Sequence, residues 1–402
     1  MTNPKRIALF LDGTWNTVQN NTNVWRAKSL CVTSEDQISY YSQGVGTLFG
    51  QRFMGGAFGY GLDAEVINAY EWLVENYNPG DRIFIFGFSR GAYTARALNG
   101  LISECGLLIA GSPLSVDQLY ARYRRREVTS IRKLVHAADA NLTTEERWLK
   151  RYSRPVAIWF LGVWDTVGAL GLPFGNIPFI SRSQYNFLQT DLWINDDTAY
   201  HALAIDEHRR AFAPTLWTWP RAKDDKSATG AYAFPDTQRV EQRWFAGAHA
   251  NVGGGYANDI LAQRPLMWLM EKAKARGLVF RDMPADDSVE EGLINNSFRE
   301  MAFGLYALFH LLIPFRRPIG QATLGNGKDV KFVVNETIDA SVFARWRADK
   351  TYRPKNVVDW ARKFNIDPGT ITTTVRADDP SVAVDAITLT EPAAIQKADG
   401  TN

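Results

Sequence analysis

Short apolar runs alternate with helical patterns along most of this 402-residue chain. The runs carry apolar residues at consecutive positions, which is typical of strands buried on both faces of a parallel sheet. The predicted strands cover residues 7–11, 38–42, 82–86, 155–163 and 243–246. The predicted helices cover a segment with Val66, Tyr70, Leu73 and Tyr77 on one face, and residues 92–102. Strands that alternate with helices predict an α/β fold with a mainly parallel, doubly wound sheet.

Three segments do not follow this alternation, and we interpret them as insertions that form a helical cap. They cover residues of about 111–150, 170–240 and 280–330. The remainder of residues 1–365 is expected to form one domain. Residues 366–402 are predicted to be a loosely ordered tail, because they are rich in Ala, Thr and Asp and contain no aromatic residue from Thr370 onward.

The clearest chemical signal is the sequence Gly87-Phe88-Ser89-Arg90-Gly91, which lies between a predicted strand and a predicted helix. In this context a G-x-S-x-G segment forms a sharp turn from which the serine hydroxyl projects. Its two glycines allow neighbouring backbone to approach the turn closely. An ordinary turn with an incidental serine is the alternative. The context favours the nucleophile elbow of an α/β-hydrolase, with Ser89 as the nucleophile.

A serine hydroxyl becomes a good nucleophile only when a base removes its proton. Among the five histidines, His249 is favoured because it follows a short predicted strand and precedes a glycine-rich loop. His201 and His208 are the alternatives, on a segment that is expected to be helical. His136 and His310 are interpreted as structural residues.

The acid is expected to be Asp165, because it follows an apolar run and would lie at the carboxyl end of a strand. Open α/β sheets collect their ligand sites at that edge. Asp165 would accept a hydrogen bond from the histidine Nδ1–H and so fix the tautomer of the ring. Asp206 is the alternative acid.

The negative charge of a tetrahedral intermediate requires hydrogen-bond donors. One is expected to be the backbone N–H of Arg90, the residue after the nucleophile. The others are placed in the loop after the first strand, at Gly13 and Thr14, with Asp12 bracing the turn. This loop is similar to the nucleophile strand of aspartate-dependent phosphatases. Phe10 stands at the position of their nucleophile, which argues against that chemistry.

Composition and charge add little to the choice of function. The formal net charge of +2 gives no reason to expect a nucleic-acid partner. Cys31 and Cys105 are expected to be small core residues, which favours a reducing compartment. No metal and no cofactor are expected, because no cluster has the spacing of metal ligands. The apolar run at 7–11 is too short for a signal peptide, so we expect a cytoplasmic protein, with secretion by a signal-independent route as the alternative.

Residues 301–315 form an apolar segment without a charged side chain, followed by Arg316 and Arg317. At about 1.5 Å per residue the segment is too short to cross a bilayer. One interpretation is a core helix. The other is an interfacial helix that contacts a membrane surface, with the two arginines at the level of the lipid phosphates.

Taken together, the motifs resemble a known family. The resembling segments, in order, are FLDGTWN (10–16), YYSQGVGT (40–47), IFGFSRGAYTAR (85–96), LGVWDTVGALG (161–171), HALAIDEHRRAFAPTLW (201–217), WFAGAHANVGGGY (244–256) and NETIDASVFARW with YRPKNV (335–357). The family is the α/β-hydrolase domain family, long described as of unknown function, that includes phospholipase effectors of bacterial type VI secretion.

The resemblance implies Ser89, Asp165 and His249 as a catalytic triad. It also implies hydrolysis of carboxylic esters, with phospholipids as the substrate class of some relatives. Members of this family often carry an acidic residue two positions after the histidine, where this chain has Asn251. Asn251 is therefore expected to weaken or retune the site.

The function expected from the sequence is a serine hydrolase that cleaves carboxylic esters, above all lipid or phospholipid acyl esters, through an acyl-enzyme. Trp217, Trp219 and Phe309 in the predicted cap favour an apolar acyl group. The alternatives are a carboxylesterase that acts on a small soluble ester and a catalytically weak binding module, for which Asn251 is the only motive. The sequence does not indicate an oligomeric state.

Overall fold

The computed structural model describes residues 4–13, 16, 18–44, 57–125, 129–167, 198–220, 237–257, 259–284, 292–297, 314–321, 323–324 and 331–384. Its strands are β1 (Arg6–Leu11), β2 (Gln37–Ser42), β3 (Arg82–Phe88), β4 (Leu107–Leu108), β5 (Ser153–Arg154), β6 (Ile158–Trp164), β7 (Ala199–Ala204), β8 (Thr218–Pro220), β9 (Val240–Phe245), β10 (Thr323–Leu324), β11 (Lys331–Val333), β12 (Glu336–Ile338) and β13 (Val375–Arg376). Its helices are α1 (Asn23–Leu30), α2 (Ala57–Asn76), α3 (Arg90–Cys105), α4 (Val116–Arg124), α5 (Ile131–Leu134), α6 (Thr144–Tyr152), α7 (His249–Gly253), α8 (Gln263–Ala275), α9 (Ala340–Ala348) and α10 (Lys355–Phe364).

Eight of these strands form one sheet in the order β13-β12-β9-β7-β6-β3-β1-β2. All neighbouring pairs are parallel except β12 and β13, which are antiparallel at one edge. Parallel strands align their carboxyl ends on one edge of a sheet. The residues that follow β1, β3, β6, β7 and β9 therefore share that edge.

Helices cover both faces of this sheet, as the residues of β1 show. Ile7, Leu9 and Leu11 are buried in one core cluster with residues of α2 and α3. Ala8 and Phe10, which alternate with them, are buried in a second cluster with residues of α1 and α8. Successive side chains of a strand point to opposite faces, so both faces are covered. The structure confirms the predicted α/β class with a mainly parallel, doubly wound sheet.

The first predicted insertion contains α4, α5 and α6. Capping boxes begin two of these helices, because Ser115 accepts from the N–H of Gln118 and Thr143 accepts from the N–H of Glu146. The helices add their apolar residues to the cluster on the α2 and α3 side of the sheet. Cys31 and Cys105 are buried in the two clusters, as the sequence predicts.

The second predicted insertion contains a central strand of the sheet, so its prediction as a cap without sheet structure is wrong. All six residues of β7 are buried, but His201 interrupts its apolar run and polar residues follow it, so the segment resembled a polar helix in the sequence. His201, within β7, does not lie on a helix either. Its Nε2 accepts a hydrogen bond from the Thr166 N–H at 3.0 Å, and its Nδ1 lies 3.4 Å from Gln242 Oε1. These polar partners stabilise a histidine in the middle of a buried strand.

The predicted boundary at residue 366 divides the edge of the sheet. Val375 and Arg376 form β13, and Val375 and Ala377 are buried against α9 and α10. The indole N–H of Trp360 donates to the Ala377 carbonyl at 2.8 Å. The apolar stretch of this segment is short and flanked by polar residues, so the sequence did not indicate that the segment packs against α9 and α10. Residues 385–402 lie outside the described residues.

The apolar segment 301–315 falls largely outside the described residues, as do Phe309 and His310 within it. Its interpretation as a membrane contact stays a prediction. Within the described part of the chain, no helix is long and apolar enough to span a membrane.

Ending the chain after Asn365 is expected to lower the free energy of unfolding by about 2 kcal/mol or more, because Val375 and Ala377 would no longer be buried. The measurement is urea denaturation, compared with a chain ending after Val384, which keeps every described residue of this edge. Equal unfolding midpoints for the two chains would contradict the packing of β13.

Candidate active site

Three of the predicted site residues meet at the carboxyl edge of the sheet. Ser89 follows β3, Asp165 follows β6, and His249 begins α7 shortly after β9. The His249 Nε2 lies 2.8 Å from Ser89 Oγ, and its Nδ1 lies 2.5 Å from Asp165 Oδ2. With the proton on Nδ1 donated to the carboxylate, Nε2 is an acceptor for the serine hydroxyl. The arrangement can move a proton away from Ser89 Oγ.

The backbone at Ser89 adopts a left-handed conformation with φ +57° and ψ −120°. A residue other than glycine rarely takes this conformation, and it projects the side chain from the turn between β3 and α3. A Cβ atom on Gly91 would lie 2.2 Å from the Leu11 carbonyl oxygen, and one on Gly87 would lie 2.5 Å from the Gly91 oxygen. Both glycines are therefore required by the close packing of the turn.

The Asp165 side chain is completely buried, with 0% of its surface exposed. Its backbone also has a positive φ, +40°. Its Oδ1 accepts from the Ala204 N–H at 3.0 Å and from Arg317 Nη1 at 2.6 Å, and its Oδ2 accepts from Arg317 Nη2 at 2.9 Å. Burial alone would raise the pKa of Asp165. The Arg317 charge and the hydrogen bond from His249 outweigh burial and hold that pKa below its ordinary value.

Arg317 is the main residue that the sequence did not reveal. One of the two interpretations of residues 301–315 places it beside Arg316 at the level of lipid phosphates. In the structure its side chain is 0% exposed and forms a two-pronged ion pair with Asp165. The same guanidinium donates to the carbonyls of Ala204 and Phe212 at 2.8 and 2.6 Å. It lies 152 residues after its partner, in a segment without a recognisable motif, so no local signal could have identified it.

Two aromatic rings contact the His249 imidazole. The Phe88 ring lies 4.7 Å from it between centroids, and the Phe212 ring packs edge-on at 5.0 Å. Burial lowers the pKa of His249 from 6.5, and the hydrogen bond to Asp165 opposes this shift without cancelling it. Because a base must be neutral to accept a proton, this direction favours the working form of the ring at neutral pH.

A second buried carboxylate, Glu207, holds the backbone at the histidine. Its Oε2 accepts from the His249 N–H at 3.3 Å and from Ser297 Oγ at 2.9 Å. Arg209 donates to it from both Nε and Nη2 at 2.8 Å. Burial raises the pKa of Glu207, but the hydrogen bond and charge of Arg209 lower it to about 2. Glu207 was also missed, although it lies in one of the motifs that resemble the family.

Asn251, the departure from the family pattern, joins the turn before His249 to two other segments. Its Oδ1 accepts from the Ala248 N–H at 3.1 Å and from the Asn295 N–H at 3.2 Å. Its Nδ2 donates to Asp259 Oδ1 at 3.1 Å, to the Leu293 carbonyl at 3.3 Å and to Asn295 Oδ1 at 3.1 Å. The amide thus uses both its donor and its acceptor atoms to hold this turn.

The loop after β1 lies against Ser89. The position that a Cβ atom would take on Gly13 is 3.2 Å from the Ser89 Cβ. The Gly13 N–H donates to Asp12 Oδ1 at 2.7 Å, so this donor holds the turn in the structure. Asp12 Oδ2 also accepts from the hydroxyls of Thr22 and Tyr41, at 2.6 and 3.0 Å. Thr14 lies outside the described residues, and its oxyanion role stays a prediction.

The alternative base and acid lie elsewhere. His208 Nδ1 lies 3.0 Å from the Phe315 carbonyl oxygen, in the loop after β7. Asp206 Oδ2 accepts from the Gly247 N–H at 2.7 Å and from the Tyr352 hydroxyl at 3.1 Å. Burial and the charge of Arg96 lower the pKa of His201 to about 3. These groups stabilise the strand ends around the site.

Trp217 does not line a cap, contrary to expectation. It is 1% exposed and packs edge-on against His201 at 5.3 Å. The side chains of Trp219 and Phe309 lie outside the described residues. Among the described residues, no group of three or more His, Cys, Asp or Glu could hold a metal ion.

Residues 5–272 match the family model described as "T6SS, Phospholipase effector Tle1-like, catalytic domain". The chain belongs to this Tle1-like family. The match includes all three residues that meet at the sheet edge, Ser89, Asp165 and His249, and it ends before Arg317.

Individual relatives of this Tle1-like chain are distant. It is 30% identical over 236 residues to the uncharacterized protein YEL023C of Saccharomyces cerevisiae, which covers 53% of this chain and 33% of the yeast protein. Among solved structures, an uncharacterized protein from Pseudomonas aeruginosa is 18% identical with a TM-score of 0.43, and covers 76% of this chain and 51% of that one. The Tle1 effector bound to the VgrG spike of the type 6 secretion system is 18% identical with a TM-score of 0.34, and covers 63% and 51%. The chain thus spans a third of the yeast protein and about half of each solved chain.

Replacing Asn251 with Asp is expected to destabilise the protein by about 1–3 kcal/mol at neutral pH, because a carboxylate would face three acceptors instead of donating to them. The introduced carboxyl group and that of Asp259 would share a proton, so the pKa of the pair in the folded state is raised. The stabilisation that comes from the shared proton is present at low pH and is lost as the pH rises through that folded-state pKa.

The measurement is the unfolding free energy of Asn251→Asp at pH 5 and pH 8. Asn251→Ala is the control, since it removes the same hydrogen bonds without adding a charge. A destabilisation by the aspartate variant that is no larger at pH 8 than at pH 5 would show that residue 251 is not in this carboxylate environment.

Proposed function

We propose that this protein is a serine hydrolase that cleaves acyl esters of phospholipids. The observation that carries the proposal is the contact of His249 with both partners, at 2.8 Å to Ser89 Oγ and 2.5 Å to Asp165 Oδ2. Ser89 is 9% exposed and His249 is 6% exposed, whereas Asp165 is 0% exposed. The proposed nucleophile and base thus keep a small exposed fraction, while the proposed acid has none.

The reaction follows from the proton positions. Ser89 Oγ attacks the ester carbonyl carbon while its proton passes to His249 Nε2, and Asp165 stabilises the imidazolium that forms. The tetrahedral intermediate collapses when the imidazolium protonates the leaving alcohol, which leaves an acyl-enzyme on Ser89. Water then attacks the acyl carbonyl, His249 takes a proton from it, and the carboxylic acid leaves as Ser89 regains its proton.

The N-terminal end of α3 is assigned as the site that stabilises the oxyanion of the tetrahedral intermediate. Arg90 begins this helix directly after the nucleophile, the position from which a nucleophile elbow supplies its first backbone donor. The positive end of the helix dipole also favours negative charge there.

Two observations support a phospholipid substrate over a small soluble ester. The description of the family to which the chain belongs names the catalytic domain of phospholipase effectors. The half-buried Phe212 ring and the buried Phe88 ring also place apolar surface against His249, where an acyl chain would be favoured.

Replacing Ser89 with Ala is expected to reduce release of fatty acid from phosphatidylcholine vesicles by at least about 1,000-fold, because the alanine side chain has no hydroxyl that could form the acyl-enzyme. Short and long p-nitrophenyl esters are measured beside the vesicles. Ser103→Ala is the matched control, since Ser103 is a buried serine of α3, the helix that begins directly after Ser89, and its hydroxyl donates to the Asn99 carbonyl at 2.7 Å.

Ser89-dependent release from vesicles supports the phospholipase. Ser89-dependent cleavage of the soluble esters alone would replace it with a carboxylesterase. A wild-type protein without Ser89-dependent turnover, and without labelling of Ser89 by a fluorophosphonate, would overturn the hydrolase and favour the binding module.

The acid limb of kcat/KM for a soluble ester is expected below pH 6.5, because burial lowers the pKa of His249 from that value. The neutral ring is the active form, so activity persists as the pH falls until the folded-state pKa is reached. The measurement is a profile of kcat/KM between pH 4.5 and 8.5 in steps of about half a unit. A half-maximal point above pH 7 would contradict a desolvated His249 as the base.

A further inference from the structure

Asp165 is bound by a residue that lies beyond the family match. Arg317 donates to both carboxylate oxygens, from Nη1 to Oδ1 at 2.6 Å and from Nη2 to Oδ2 at 2.9 Å. A planar guanidinium that contacts both oxygens of a carboxylate fixes its rotation as well as its charge. Oδ2, the oxygen that contacts His249, is one of the two oxygens fixed in this way.

Arg317 is itself held by groups other than Asp165. Its guanidinium donates to the carbonyls of Ala204 and Phe212, at 2.8 and 2.6 Å. Its own carbonyl accepts from Asn356 Nδ2 at 3.3 Å. Because Ala204 also donates its N–H to Asp165 Oδ1, the end of β7 binds both members of the ion pair. The arginine is therefore placed by the fold.

We propose that Arg317 is the positioning residue of the triad, which holds the Asp165 carboxylate in the orientation and the charge state that His249 requires. The proposal rests on the serine hydrolase function proposed above. It extends the catalytic unit past residue 272, where the match to the family ends. If this chain were cut after residue 272, it would keep Ser89, Asp165 and His249 but lack the cation that completes their arrangement.

The charged groups around the Arg317–Asp165 ion pair determine how removal of Arg317 would change the protonation of Asp165 and His249. In the described part of the chain, the titratable or charged groups near it include His249, His201 on β7, Arg96 on α3, and Glu207 and Arg209 after β7. Without Arg317 the full charge of Asp165 would attract a proton to His249, and the buried carboxyl would itself accept one more readily. Both changes remove the working base at a higher pH than in the wild type.

The test compares Arg317→Met with Arg317→Lys, and uses Arg316→Met as the control because that neighbouring arginine is exposed. Rates on a soluble ester are divided by the number of sites that react with a fluorophosphonate, which corrects for unfolded protein. Arg317→Met is expected to lower kcat/KM by about 100-fold, the cost of a misplaced catalytic group. Its acid limb should move to higher pH. Arg317→Lys should lose rate but show a smaller shift, since lysine keeps the charge without the two-pronged contact.

An acid limb that stays at the wild-type position, in whichever of the two variants folds, would show that Arg317 serves stability alone. A corrected rate of an Arg317 variant that equals the rate of Arg316→Met would lead to the same conclusion. Failure of the underlying function gives a different result, because the wild type would then show no Ser89-dependent turnover at all. In the expected case the wild type and Arg316→Met are active, and only the Arg317 variants lose rate and change their pH profile.

Discussion

Removing an ionised carboxylate from water costs several kcal/mol unless donors and cations replace its hydration. Asp165 is completely buried, and the fold replaces that hydration from three directions. The end of β7 supplies a backbone N–H, the segment 314–321 supplies Arg317, and α7 supplies the His249 ring. These three elements therefore meet at one carboxylate. The geometry of the site depends on how the fold satisfies that one charge.

The parallel sheet makes this convergence possible. Its strands end on one edge, so residues that are 76 and 84 positions apart, Ser89 to Asp165 and Asp165 to His249, lie within hydrogen-bond reach of one ring. The close packing of the turn after β3 adds a steric requirement. Gly91 approaches the Leu11 carbonyl so closely that no side chain would fit there. Ser89 is thus positioned by backbone contacts between β1 and α3.

Features with a local cause could be predicted from the sequence. The tight turn at Ser89 was predicted because its two glycines meet a steric demand within five residues. The strands β1, β3 and β6 were predicted because they are short apolar runs. β7 was missed since its buried His201 and the acidic residues after it resemble a polar helix, and only the Thr166 N–H and Gln242 explain how that histidine is tolerated. Arg317 was missed for a related reason, because a buried ion pair between distant segments leaves no local pattern.

The asparagine at position 251 illustrates how a departure from a family pattern can be accommodated. The Asn251 amide accepts from the Ala248 N–H, the residue before the histidine, as a carboxylate at that position could also do. A carboxylate is still present beside it, on Asp259, and it accepts from the same amide. An acid at both positions would bring two negative charges within about 3 Å of each other in a buried turn, where like charges cannot both ionise. The amide at 251 is therefore compatible with the neighbouring Asp259 carboxylate, and the expectation that it weakens or retunes the site stays a prediction.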